Sequence, residues 1–170
     1  VIPNPSPELI TASVKNNPKI LLLLLRKRIN IPDEAYKAVL KHKDAKLILR
    51  NINLPENMQR YAIAQDPYLI NEIKNPSYNL IKLAVEKNGL TYKNYMNLYP
   101  DLKSIAINSN PYIIRDLMKT NFITVDDIVQ AVRKNRAVLN CIYDNSLKNE
   151  VISIISTPER AERDEIDNSL

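Results

Sequence analysis

The side chains whose types and spacing could support chemistry in this chain are cations and tyrosines. Lys and Arg number 24 against 19 Asp and Glu, which gives a formal net charge of +5. Cations interleaved with tyrosines can follow a phosphate backbone and stack on bases, while Tyr and Arg also serve as anchor residues at protein interfaces. The candidate binding residues are Tyr68, Tyr112, Arg115, Lys87, Arg133, Lys134 and Arg136.

Groups that could act as catalysts are few. The only histidine, His42, stands between Lys41 and Lys43 without a cluster of ionisable partners, so a capping role at a helix end is the better interpretation. The only cysteine, Cys141, precedes Ile142 in an apolar helical pattern, which predicts a buried thiol and no disulfide within the chain. No Cys or His set has metal-ligand spacing, and one glycine cannot form a glycine-rich phosphate loop. We therefore predict a non-enzyme without metal, cofactor or small-molecule substrate.

Paired carboxylates do not change that prediction. Asp126 and Asp127 fall at a predicted helix start, where they complement the helix dipole. Asp164 and Glu165 fall in a polar C-terminal stretch. Neither pair is placed for general acid–base work.

One sequence pattern, called the repeat phrase below, recurs six times, and the elements that it encodes must position all of these residues. It is a small residue, then Val or Ile, then two mostly polar residues and usually Asn or Asp before Pro or Gly. Its copies are 22 to 25 residues apart and centre on Val14, Val39, Ile63, Val85, Ile107 and Val132. Three residues after each centre stand Asn17, His42, Asp66, Asn88, Asn110 and Asn135. Periods of this length are typical of stacked repeat proteins.

Each repeat unit is predicted to contain two short helices. Apolar residues lie five or four positions before the centre, one before it and at the centre, which makes one stripe of a helix. Aliphatic or aromatic residues at six, seven and ten positions after most centres make a second stripe. Helix starts are marked by Ser6–Pro7, Asn17–Pro18, Asp66–Pro67, Asn75–Pro76, Asn110–Pro111 and the capping box of Thr124 with Asp127. Gly89 is predicted to be a left-handed helix stop.

The predicted fold class is all-α: an α-solenoid of about six short helix-turn-helix repeats with a C-terminal capping helix over Ser146–Ile155. Residues 1–156 form the predicted repeat domain, and residues 157–170 form a polar C-terminal tail, since they hold two Arg and five acids. The run Ile20–Leu25 is too short to span a bilayer, so it is predicted to be the fully buried second helix of the first unit. No membrane association is expected.

The phrases NPSYNLIKLAVEKNG (75–89) and AINSNPYII (106–114) resemble a class of short helical repeats of unknown function. Repeats with this Ala-Val-x-x-Asn-Gly or Ala-Val-x-x-Asn-Pro signature occur in bacteriophage, large-virus and protist proteins. The resemblance covers most of residues 6–143 and is weak in the second unit, where Lys43 replaces the Pro or Gly. It implies a viral or phage origin and an interaction role, and it brings no catalytic residues.

Two functions fit this sequence. The first is a scaffold for protein–protein interaction, either a virion component or a binder of a host factor, located in the host cytoplasm or the virion. The alternative is a nucleic-acid-binding protein whose turn-edge cations contact phosphates, although helix dipoles and solubility also explain those cations. The Asn row could read a peptide backbone, but helix capping is the favoured explanation.

Overall fold

The computed structural model describes residues 4–157, and this part of the chain is helical throughout without a β-strand. Its α-helices are α1 Pro7–Asn16, α2 Ile20–Arg26, α3 Asp33–Leu40, α4 Ala45–Asn51, α5 Glu56–Gln65, α6 Tyr78–Lys87, α7 Lys103–Ser109, α8 Ile114–Leu117, α9 Val125–Lys134 and α10 Asn145–Ser156. Its 3₁₀ helices are Pro67–Glu72, Gly89–Asn94, Pro100–Leu102, Pro111–Ile113 and Arg136–Cys141. The predicted all-α class is confirmed.

The six repeat centres all lie in the first helices of their units and are all buried. These helices are α1, α3, α5, α6, α7 and α9, and each contacts the next one in that order. Helices of this length are marginal alone in water, so the apolar stripe between neighbours supplies most of their stability. Contacts between successive units are the pattern that a repeat stack requires. The solenoid path of that stack stays a prediction.

The residue three positions after each centre caps the second segment of its unit. Its side chain accepts a hydrogen bond of 2.9 to 3.2 Å from the backbone N–H two residues later. The pairs are Asn17–Lys19, His42–Asp44, Asp66–Tyr68, Asn88–Leu90, Asn110–Tyr112 and Asn135–Ala137. The capping interpretation is confirmed for the Asn row and for His42, whose Nδ1 is the acceptor.

The second segments differ from ordinary α-helices in four units. The third, fourth and sixth units use a six-residue 3₁₀ helix, and the fifth joins Pro111–Ile113 to the one-turn helix α8. A 3₁₀ helix rises about 2.0 Å per residue, so six residues cover about 12 Å against about 9 Å for an α-helix. A six-residue 3₁₀ helix can therefore pack along a greater length of the ten-residue first helix beside it than a six-residue α-helix could.

The fourth first helix begins two residues later than the predicted Asn75–Pro76 start. The cap is Ser77, whose Oγ accepts from the N–H of Leu80 at 3.4 Å. Asn75 instead takes a positive φ of 49° in the turn before the helix. This is a conformation that Asn tolerates better than most residues.

Gly89 was predicted to be a left-handed helix stop, and that prediction is wrong. No glycine in residues 4–157 has a positive φ. A Cβ at position 89 would instead lie 2.0 Å from the carbonyl oxygen of Ala106 in the next unit. Ser109 of that unit fixes the approach, since its Oγ accepts from Gly89 N at 3.1 Å and donates to the Glu86 carbonyl at 3.0 Å. Glycine is present because two backbones touch there.

The run Ile20–Leu25 was predicted to be fully buried, and that prediction is also wrong. Only Leu21 is buried, and Leu23 is 52% exposed. Ile20 is half-buried, whereas the residues at the same position of every later unit are buried; they are Ala45, Leu69, Thr91, Ile113 and Val138. The first unit therefore leaves much of an apolar helix uncovered.

The last described helix packs on the sixth unit. α10 packs on α9 and begins at Asn145, one residue before the predicted Ser146, with Asp144 Oδ1 accepting from Leu147 N at 2.8 Å. The tail predicted from residue 157 lies outside the described residues except for Thr157. Of the helices within 4–157, none has both the length and the apolar character that crossing a bilayer requires.

The largest fully buried side chain is Tyr92, and it makes the stability sensitive to alkaline pH. Burial first, then Asp101 and Asp127, raises its pKa from 10.0 to about 12. Below pH 10 the phenol is neutral in both states. Above it the unfolded chain ionises first, so Tyr92 contributes a loss of stability of at most about 1.4 kcal/mol per pH unit up to the folded pKa.

We therefore expect the unfolding free energy of the Tyr92→Phe variant to fall less than that of the wild type as the pH is raised from about 9 to about 11.5. Urea unfolding followed by circular dichroism at closely spaced pH values measures the difference in slope. Tyr143→Phe is the matched control, because that side chain is 89% exposed. Parallel curves for wild type and Tyr92→Phe would contradict the assignment.

Candidate protein-binding surfaces

The turns between first and second segments form one connected edge in the middle of the chain. Asn110 Nδ2 donates to Asn88 Oδ1 at 3.3 Å, and Asn88 Nδ2 donates to the Tyr68 hydroxyl at 3.3 Å. These bonds join the third, fourth and fifth units. The predicted alignment of successive turns is present there, and the Asn side chains serve the scaffold.

The two tyrosines of this turn edge are less available than their sequence positions suggested. Tyr68 is exposed on one side, but its hydroxyl is held by Asn88. Tyr112 is half-buried and packs against the core. Neither ring stands free as a base-stacking platform, and the hydroxyl of Tyr68 helps to join neighbouring units.

The predicted cations of the turn edge are exposed. Lys87 ends α6, Lys134 ends α9, and Arg136 begins the following 3₁₀ helix. Within residues 4–157 these three side chains form no ion pair with a carboxylate. Arg133 is exposed on the same helix end as Lys134. Lys87, Lys134 and Arg136 remain able to meet an anionic partner.

Arg115 lies apart from the turn edge, at a groove near the C-terminal end of the row. The groove has a volume of about 510 Å³ and lies between α8, the segment leading into α9, the 141–144 connection and the start of α10. It is lined by Arg115, Met118, Lys119, Ile123, Ile128, Cys141, Ile142, Tyr143, Asp144 and Leu147. We call this the C-terminal groove.

The C-terminal groove has an apolar floor and a polar rim. Met118, Ile128 and Leu147 belong to the floor, and Cys141 is buried there as predicted. The ring of Tyr143, at 89% exposed, stands open to solvent. Lys119 Nζ is 3.4 Å from Asp116 Oδ1, whereas Arg115 forms no ion pair within the described part of the chain. Such a site fits an apolar side chain with a carboxylate beside it.

Sequence reasoning found Arg115 but missed the groove. Its wall is built by Tyr143 and Asp144, which follow the last repeat and have no equivalent in the repeat phrase. The sequence does show a tyrosine, Tyr143, in the connection between two helical patterns, but its spacing does not distinguish it from any other connecting residue.

The side chains that could act as catalysts are not clustered, and each of them has a structural role. His42 caps the start of α4, and its Nδ1 also lies 3.3 Å from Asp44 Oδ2. Asp127 completes the predicted capping box with Thr124 and accepts from Lys103 Nζ at 2.7 Å. Burial raises the pKa of the Asp127 carboxyl, but the bonds from Lys103 and Thr124 together outweigh it and hold that pKa below its usual value. Within residues 4–157, no group of three or more His, Cys, Asp or Glu side chains is arranged to hold a metal ion.

Comparisons of the chain with protein-family models, with curated proteins and with solved structures give no match.

Proposed function

We propose that this protein is a non-catalytic helical-repeat scaffold that binds another protein through its C-terminal groove. The observation that carries the proposal is an open, apolar-floored groove beside a tyrosine that is 89% exposed. Tyr is enriched among decisive interface residues, because its ring is apolar while its hydroxyl can stay in contact with water.

The rim of the groove indicates what the partner carries. Arg115 lies on α8, and Lys119 lies two residues after the end of that helix. Lys119 forms an ion pair with Asp116 of α8. Arg115 therefore supplies the cation that is not matched by a carboxylate of the described chain. An interface side chain such as Leu or Phe seated on the floor, with an Asp or Glu facing Arg115, satisfies both requirements.

Nucleic-acid binding is the second candidate, and the exposed cations of the turn edge favour it. Lys87, Lys134 and Arg136 lack carboxylate partners within residues 4–157, and the first 156 residues carry 22 cations against 14 acids. The engaged hydroxyl of Tyr68 and the half-buried Tyr112 weaken the stacking part of that mechanism. The viral or phage origin and the location in virion or host cytoplasm stay predictions.

Site-resolved crosslinking in the natural source tests the proposal. A photo-reactive side chain at position 143 is expected to capture one protein in stoichiometric yield, and the same group at exposed Lys46 on α4 is expected to capture none. Arg115→Glu should weaken binding of the isolated partner about tenfold or more through loss of its charge contact. Lys46→Glu is the matched charge reversal and should leave the affinity unchanged.

Three outcomes decide between the candidates. Capture at 143 that Arg115→Glu abolishes supports the groove. Absence of capture at 143, together with submicromolar nucleic-acid binding that weakens steeply with salt, establishes the alternative instead. Equal capture at 143 and at 46 means that the groove is not the binding site.

A further inference from the structure

Asn88 and Gly89 form the only Asn-Gly pair of this chain, because the chain has a single glycine. In such a pair the backbone nitrogen of the glycine can attack the side-chain amide carbon of the asparagine. No side chain on the following residue hinders the approach, and a glycine backbone rotates freely. Asn17 and Asn110 occupy the same capping position in their units but precede prolines, which have no N–H to react. Asn88 therefore has the most reactive neighbour in the Asn row.

The reaction replaces the side-chain amide of Asn88 by a carboxylate. The Gly89 nitrogen bonds to Asn88 Cγ and loses its proton, while the Cγ–Nδ2 bond breaks and ammonia leaves with that proton. Water then opens the resulting five-membered succinimide ring. Attack of water at Cγ gives an aspartyl residue. Attack at the backbone carbonyl carbon gives an isoaspartyl residue, in which the main chain runs through Cβ and Cγ. One water enters and one ammonia leaves, so no cofactor or oxidant is required.

The folded chain engages both reacting groups. Gly89 is buried and its N–H donates to Ser109 Oγ at 3.1 Å, so the proton that must leave is shielded from water. Asn88 Nδ2 donates to the Tyr68 hydroxyl at 3.3 Å. Asn88 Oδ1 accepts from Asn110 Nδ2, also at 3.3 Å. These partners belong to the third and fifth units, so separation of the units releases the pair.

The backbone of Asn88 is also turned away from the ring geometry. Closing the ring places Cβ and the following nitrogen on the same side of the Cα–C bond, which for an L-residue requires a negative ψ. Asn88 has a ψ of 106°. Two bonds hold this conformation, since Asn88 N donates to the Ala84 carbonyl at 2.8 Å and the Asn88 carbonyl accepts from Thr91 N at 3.0 Å. The stacked chain therefore keeps the pair away from its reactive conformation.

We propose that Asn88–Gly89 is a deamidation site that reacts when the fourth and fifth units separate, and that its isoaspartyl product keeps those units from closing again. The first part follows from the contacts above. Local opening exposes groups that the closed stack protects, and a covalent change in the open form is not reversed by refolding. The site lies apart from the C-terminal groove and extends the proposed function to a modification of the scaffold itself.

The effect of the isoaspartyl product follows from the close approach of the two units. That product adds a carbon to the main chain directly before Gly89, where a Cβ would already lie 2.0 Å from the Ala106 oxygen. An aspartyl product adds no atom to the main chain. Asp66 caps the third unit from the equivalent position, with its Oδ1 accepting from Tyr68 N at 2.9 Å. The stack therefore accepts an aspartyl residue at position 88 and excludes an isoaspartyl one.

Ageing of the full chain at mildly alkaline pH tests the reaction. Peptide mapping by mass spectrometry gives the aspartyl and isoaspartyl content of position 88 over time. The folded chain should react about tenfold or more slowly than the same chain unfolded in urea, because the rate follows the population of the open form. Asn135 is the internal control, since it has a ψ of 105° but precedes Arg136, and it should stay unmodified in the folded chain. Equal modification of Asn135 overturns the assignment.

Two variants release the pair from opposite sides. Ser109→Ala removes the acceptor of the Gly89 N–H and should speed the reaction about fivefold or more. Tyr68→Phe removes the acceptor of Asn88 Nδ2 and should speed it about twofold or more, and this variant carries the comparison if Ser109→Ala does not fold. Tyr112→Phe is the matched control, because its hydroxyl has the equivalent position in the fifth unit and is not bonded to Asn88. Its rate should equal that of the wild type.

Hydrogen exchange of the separated products tests the second part. The isoaspartyl chain should exchange about tenfold or more faster in α6 and α7 than the unmodified chain. Asn88→Asp carries the charge without the inserted carbon and should keep wild-type exchange there. A folded wild type that reacts as fast as the unfolded chain, or two releasing variants without effect, overturns the gating. An isoaspartyl chain with wild-type exchange, or Asn88→Asp with the same loss, overturns the role of the inserted carbon.

Discussion

Replacing Ile107 by Asp is expected to unfold the middle of the chain at room temperature. Ile107 is the centre of the fifth unit, is fully buried, and lies on α7 between α6 and α9. A carboxylate there loses the apolar contacts and enters the core without a partner, which costs about 4 kcal/mol or more. Since repeat stability is shared between neighbours, the fourth and sixth units should lose protection along with the fifth.

Hydrogen exchange and urea unfolding measure this effect. Ser104→Asp is the matched control, because position 104 is exposed on the same helix, and a change of at most about 0.5 kcal/mol is expected. An Ile107→Asp chain with wild-type exchange in α6 and α9 would contradict coupling between units. A chain destabilised equally by Ser104→Asp would show that charge on α7, rather than burial, is responsible.

Replacing Gly89 by Ala is expected to cost about 3 kcal/mol although it adds a single methyl group. The methyl carbon would lie 2.0 Å from the Ala106 oxygen and 2.8 Å from its carbonyl carbon. That oxygen also accepts the 2.8 Å bond from Asn110 N that ends α7. Both contacts are to backbone, which cannot rotate away, so the fourth and fifth units must separate. Urea unfolding at pH 7 gives the free-energy change.

Two control variants identify the cause. Arg136→Ala changes the corresponding position of the sixth unit, where the side chain is exposed, and should be neutral within about 0.5 kcal/mol. Ser109→Ala deletes the bonds to Gly89 and Glu86 without adding an atom, and should cost about 1 to 2 kcal/mol. If Gly89→Ala proved as neutral as Arg136→Ala, the close approach of the two units would be refuted.

The helical class and the unit boundaries were predictable because they depend on local signals. An apolar stripe at helical spacing identifies α6 or α9, and an Asn, Asp or Ser side chain at a helix start accepts a nearby N–H whatever surrounds it. The cap of His42 could be predicted for the same reason, since it occupies the Asn slot of the repeat. Ser77 displaced Asn75 as a cap because both are possible helix starts, only two residues apart, and local sequence does not choose between them.

The candidate binding surfaces were less predictable because burial depends on neighbours distant in sequence. Leu9 and Leu80 stand at the same position of the repeat, yet one is 58% exposed and the other is buried. Leu80 lies on α6, which packs against α5, whereas no described helix precedes α1. Arg115 lies apart from the turn-edge cations because it belongs to α8, in the second segment of the fifth unit, and lines a groove with residues 141–144. Those residues follow the last repeat and are not part of the repeat pattern.

The sequence by itself determined a row of short helical pairs with buried centres, capped turns and a surplus of cations. Tertiary structure decided why position 89 must be glycine, which leucines of α2 are covered, and where an open groove forms beside Tyr143. The physical reason is range. Helix stripes and caps join residues within a few positions of one another, whereas a close backbone approach or an uncovered face exists only once two units have been placed side by side.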